Sequence, residues 1–175
     1  MNVWNRLLGI SLSLGVAASG YNLKAAEPKN TLTIKAAAAV GAARTPPKPS
    51  TQHFYNANGT SAGSARNSEA AAHYYDASGR NAGTARTSGD TTRFYDAAGR
   101  QVGQARQNGA ITSYYDASGR STGRATTSGI STLFFGPDGR SAGTARESGA
   151  TTRVYSPSGS LKGQINLTPA ACDRR

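Results

Sequence analysis

The stretch FYDAAGRQVGQARQNGA occupies residues 94–110. Twenty residues earlier, residues 74–90 read YYDASGRNAGTARTSGD, and twenty later, residues 114–130 read YYDASGRSTGRATTSGI. A fixed interval without insertion marks a repeat architecture, in which each unit is one small structural element. Extended both ways, the period yields six units: 51–70, 71–90, 91–110, 111–130, 131–150 and 151–170. The ninth position is Gly in all six, from Gly59 to Gly159, and so is the thirteenth, from Gly63 to Gly163. The fifth position is always aromatic: Tyr55, Tyr75, Tyr95, Tyr115, Phe135 and Tyr155. The fourth is aromatic in five units and Val154 in the last.

Each unit reads as two short strands. Residues 91–96, TTRFYD, are β-branched and aromatic, the residues that favour strands. The following DAAG has Asp where a type I turn opens and Gly where φ turns positive. RQVGQARQ then returns, and Asn108-Gly109 is a tight-turn dipeptide. The expected fold is all-β: tandem 20-residue β-hairpin repeats in an antiparallel meander or solenoid, with a β-helix as the alternative. Two turns per unit favour hairpins over coils. One unit buries too little apolar surface to stand alone, so stability is expected to come from stacking.

Strand side chains alternate between faces. Positions four and five therefore point opposite ways, and position four, richer in Phe, is the expected core. The small residues at positions thirteen and fifteen, such as Gly103 and Ala105, are expected between aromatic strands, where a ring shields glycine backbone. The divergent first and last units are expected to be caps.

Outside the repeats the texture changes. Arg6 followed by the apolar run 7–18 resembles a secretory signal peptide, with small residues Val16, Ala17 and Ala18 at its end. Twelve apolar residues fall short of the roughly 20 needed to span a bilayer. The predicted organisation is a signal peptide at 1–18, a basic Ala/Pro-rich tether at 19–50, the repeats at 51–170 and a tail at 171–175. No transmembrane segment is expected after cleavage, and the chain is expected in the periplasm, at the cell surface or secreted. The single cysteine, Cys172, allows no internal disulfide.

The repeated YYDASGR, with its partner FYDAAGR, resembles the YD repeat of RHS-type proteins, which carries Tyr-Asp, a short turn and Gly-Arg at a similar period. The match is closest in units two to four. Unit five keeps Gly-Arg but reads FFGPDGR, and units one and six keep only the aromatic and Gly positions. The resemblance implies strips of β-hairpins. The family's shell around toxic cargo does not carry over to six units. A looser similarity is to choline-binding and glucan-binding repeats, whose Trp pockets have no counterpart here: the only Trp is Trp4.

The chain carries 20 Lys and Arg against 9 Asp and Glu, a formal charge of +11. Catalysis needs one special residue in a pocket, whereas Asp76, Asp96 and Asp116 recur as equivalents before turns, placed to cap backbone amides. His53 and His73 are two ligands at most and do not make a metal site. No enzyme activity, metal or cofactor is expected. The arginines carry the functional reading. Position ten supplies Arg80, Arg100, Arg120 and Arg140, and position sixteen supplies Arg66, Arg86, Arg106 and Arg146. Both positions are even, so they share a face if no bulge intervenes. Together with Tyr75, Tyr95 and Tyr115, the residues Arg80, Arg86, Arg100, Arg106, Arg120 and Arg140 are the candidate ligand-binding set. Guanidinium pairs with carboxylate and phosphate through two hydrogen bonds, and tyrosines stack on sugar faces. The expected partner is an anionic polysaccharide or envelope surface. The alternatives are a structural protein that self-associates through open sheet edges or Cys172, and a nucleic-acid binder, disfavoured for an exported chain.

Overall fold

The computed structural model describes residues 49–68 and 70–169. The signal peptide expected at 1–18, nearly all of the tether and the tail with Cys172 lie outside the described residues.

Every regular element described is a strand, so the all-β class holds. The twelve strands are β1 (Ser50–Asn56), β2 (Ser61–Asn67), β3 (Ala71–Tyr75), β4 (Asn81–Ser88), β5 (Thr91–Asp96), β6 (Gln101–Asn108), β7 (Ile111–Asp116), β8 (Ser121–Ser128), β9 (Ser131–Phe135), β10 (Ser141–Ser148), β11 (Thr151–Tyr155) and β12 (Leu161–Pro169). Each pairs antiparallel with its sequence neighbours, and β1 pairs with β12, so the sheet is a closed barrel. A β-helix requires parallel strands and is excluded. Closure also corrects the expectation of open edges. β1 and β12 take each other's backbone groups over seven residue pairs, Ser50↔Pro169 to Asn56↔Gly163. No edge remains among the described strands for edge-to-edge self-association.

The terminal units are therefore a seam rather than caps. Phe54 faces Ile165 across β1 and β12, and Val154 lies one strand further on. Phe54 and Val154 are the largest fully buried side chains, both at 0% exposure, and Ile165 beside them is buried at 4%. The last unit departs from the repeat where the ring closes, with the smaller Val154 in place of an aromatic residue and the larger Ile165 in place of alanine.

The core is the inside of the barrel. Position four points inward, with Phe54, Tyr74, Phe94, Tyr114 and Val154 buried and Phe134 half-buried. Each faces the small position-thirteen residue of its own unit and position fifteen of the unit before. Phe94, for instance, lies between Gly103 and Ala85. The rings fill the space that glycine and alanine leave open.

Six β-bulges complete the shape, one in each return strand. Phe54 faces Gly63 but Tyr55 faces Ser61, so Ala62 is the extra residue, and the other five units shift at the same point. A bulge bends its strand and increases twist, and repeated bulges supply the curvature that closure needs. Residues 62 and 63 thereby both face inward and are buried. The glycine after the bulge is required on two counts. Gly63 has φ +133, and a Cβ there would run into the backbone carbonyl oxygen of Tyr75.

Candidate functional site: an arginine and tyrosine wall

The bulge decides where the arginines go. It falls between positions ten and sixteen, so the two rows do not form the single face expected from their even spacing. Position ten ends the turn at one rim of the barrel, whereas position sixteen lies on the outer wall.

At the rim, each unit closes its turn on its own polar side chain. Asp96 Oδ1 accepts from the amides of Ala98 and Arg100, both at 2.9 Å. Asp76 and Asp116 make the same pair of bonds. Asn56 and Ser156 take the Asp role in the end units, and in unit five Asp138 accepts from the Arg140 amide at 3.1 Å. The aspartates are thus local caps. They also face the rim arginines: Arg100 Nε lies 2.8 Å from Asp96 Oδ2, and Arg140 Nε lies 3.6 Å from Asp138 Oδ2. Arg80, Arg100, Arg120 and Arg140 are all exposed, but each shares its turn with one carboxylate. The Arg100 amide, aided by that residue's guanidinium, holds the Asp96 carboxyl below its usual range. At Asp116 the Ser118 hydroxyl is the first cause of the same lowering.

The wall is different. Outward positions one, three, five, fourteen and sixteen carry seven exposed arginines: Arg66, Arg86, Arg93, Arg106, Arg124, Arg146 and Arg153. Among the described residues no Asp or Glu occupies those positions. Asp90 sits in a turn at the far end, and Glu147 alternates with Arg146 onto the inner face, opposite Thr152. Among the described residues charge is sorted by location: each rim arginine shares its turn with a carboxylate, and no carboxylate stands at the wall positions.

The position-five aromatics lie half-buried on the same wall. Arg66 faces His73 directly and reaches diagonally over the Tyr75 ring, its guanidinium carbon 5.5 Å from the centroid. Arg86 covers Tyr95 at 5.7 Å and Arg106 covers Tyr115 at 5.9 Å. Unit four breaks the row, with Thr126 at position sixteen. Its arginine moves two residues along, to Arg124, and covers Phe135 from directly opposite at 5.1 Å. Stacking on a ring orients the guanidinium and leaves its in-plane N–H donors facing solvent.

Of the candidate residues, the structure brings Arg86, Arg106, Tyr75, Tyr95 and Tyr115 together and sets Arg80, Arg100, Arg120 and Arg140 apart. Arg93, Arg124 and Arg153 were missed by the sequence reading because arginine stands in only two of six units at position three and in one at position fourteen. The signal available was outward parity on a strand rather than repetition. Among the described residues no cluster of three His, Asp, Glu or Cys side chains could hold a metal ion.

The wall's polarity also bears on membranes. A barrel inserted in lipid is apolar outside. This one is apolar inside and studded with arginine outside.

Neither a protein-family model nor a curated protein sequence matches the chain. Among solved structures, an X-ray structure of an Arabidopsis thaliana protein is similar over 70% of this chain and 82% of that one, at 11% identity and a TM-score of 0.48. The likeness is too slight to show kinship.

Proposed function

We propose that the barrel is a non-enzymatic binding module that takes anionic polysaccharide of the cell envelope on its outer wall. The observation that carries this reading is the segregation of charge: seven exposed arginines stand where no described carboxylate does. Guanidinium binds carboxylates and sulfates through paired hydrogen bonds. Ring-stacked arginines lose less freedom on binding, which favours affinity, and the tyrosines add stacking surface for sugar rings. Repeated contacts of this kind make the binding multivalent and salt-sensitive.

Export belongs to the same proposal. The segment at 1–18 would direct the chain out of the cytoplasm, where acidic glycans are accessible, and the basic tether would add to the attraction. So does the interpretation of the twelve strands as six tandem hairpin repeats of the YD kind, closed into a ring. Each twenty-residue unit contributes two strands joined by a capped turn, which supports that interpretation.

The test is retention of the full chain on immobilised polygalacturonate, with neutral dextran as control, across a salt titration. Retention at low ionic strength that declines as salt rises is expected on polygalacturonate alone. Equal retention on both matrices, or none on either, contradicts the proposal.

A further inference from the structure

Going round the ring, the facing residues at positions sixteen and three differ from seam to seam. In order they are Asn166↔His53, Arg66↔His73, Arg86↔Arg93, Arg106↔Ser113, Thr126↔Leu133 and Arg146↔Arg153. Two seams thus set arginine directly against arginine. Cβ atoms of such cross-strand partners lie about 5 Å apart, and like charges there are destabilising. A chain that maintains two such pairs, exposed and without a described carboxylate on the wall to offset them, accepts that cost at both. An acidic group placed between the two guanidinium ions would relieve it by accepting hydrogen bonds from both.

The spacing of the pairs adds a second fact. β4–β5 carries one and β10–β11 the other, six strands apart in a ring of twelve. At about 4.8 Å per strand that is roughly 29 Å along the wall, half a circuit, so the two pairs face opposite directions. Nothing bound flat on one side can reach the other.

We infer that the barrel is bivalent: Arg86 with Arg93 clamps an acidic sugar of one polysaccharide strand, Arg146 with Arg153 clamps a second strand, and the protein bridges the two. This rests on the polysaccharide-binding reading above and adds geometry to it. Arg86 also stacks on Tyr95 at 5.7 Å, so the first clamp combines an ordered cation with a ring for the sugar face.

Agglutination of polygalacturonate-coated beads by the full chain, with binding to the same beads measured in parallel, separates the two proposals. Wild-type protein is expected to agglutinate beads with a maximum at intermediate protein, because excess protein fills every site singly. Either Arg86→Gln with Arg93→Gln, or Arg146→Gln with Arg153→Gln, is expected to lower binding only about twofold but agglutination about tenfold. Arg100→Gln with Arg120→Gln removes the same charge from the rim and is expected to agglutinate like wild type. Binding without agglutination by wild type overturns bivalency and leaves the binding proposal standing. Full agglutination by either wall double variant also overturns bivalency. So does agglutination that disappears in Cys172→Ser, since a disulfide-linked dimer would then be the bridge. Absence of binding by wild type overturns both proposals together.

Discussion

Glycine does two different jobs in each unit, and substitution separates them. Gly139 ends a turn with φ +77 and open space around it, whereas Gly143 has φ +138 and would drive a Cβ into the Tyr155 carbonyl oxygen. Gly139→Ala is expected to cost about 1 kcal/mol, from the left-handed backbone alone. Gly143→Ala is expected to cost about 3 kcal/mol, because overlap with fixed backbone is added. Urea denaturation of the two variants checks the order. The inward tyrosines give a second residue-scale expectation. The Tyr114 hydroxyl is buried with no hydrogen-bond partner among the described residues, so Tyr114→Phe is expected to stabilise the barrel by about 1 kcal/mol. Burial pushes the Tyr74 hydroxyl up to about 12, and burial together with nearby Tyr74 raises Tyr114 as well. The unfolded chain releases these protons from about pH 10 while the folded one retains them. Stability therefore falls above pH 10, by about 1.4 kcal/mol per pH unit for Tyr74. Thermal melts between pH 9 and 12 should show that decline, and Tyr74→Phe should blunt it.

At the scale of the element, each unit is a pair of antiparallel strands whose turn is tied by a polar side chain, an aspartate in units two to five, and bent near that end by a bulge. The turn was legible in the sequence because its chemistry is local: Asp at position six and Gly at nine specify it without reference to any neighbour. The inward column was legible too, since alternation and the Phe content of position four both point to burial. The bulge was not. Periodicity marks Gly63 and its equivalents as special but does not say that Ala62 and Gly63 face the same way. That parity change places position ten on the rim and position sixteen on the wall. The aspartate tie makes an acid-side prediction. Asp96 and Asp116 are held below their usual ionisation range by amide, hydroxyl and arginine donors. A lowered carboxyl contributes stability that is present above its unfolded value and lost as pH falls through its folded one. Melting temperature should therefore drop below about pH 4, and Asp96→Asn, which retains an acceptor without charge, should make that drop shallower.

At the scale of the whole molecule, closure is what the repeat pattern could not announce, since an open array and a ring share the same twenty-residue period. The clue lay in the departures of the last unit, where Val154 and Ile165 stand in for the aromatic and alanine of the other units. Ile165 packs against Phe54 at the seam. Removal of residues 151–175 should expose the partner faces of β1 and β10 together and abolish cooperative melting, rather than shorten the array by one unit. The ring also creates the sorted charge on which function is argued. It turns arginines of all six units onto one continuous outer surface and leaves the described carboxylates at its ends and interior. The most direct measurement compares two fourfold variants of equal charge on polygalacturonate across a salt titration. In one, the wall residues Arg86, Arg93, Arg146 and Arg153 become Gln; in the other, the rim residues Arg80, Arg100, Arg120 and Arg140 do. Loss of retention for the wall variant, with the rim variant still near wild type, is the predicted result, and equal losses for both would contradict the account.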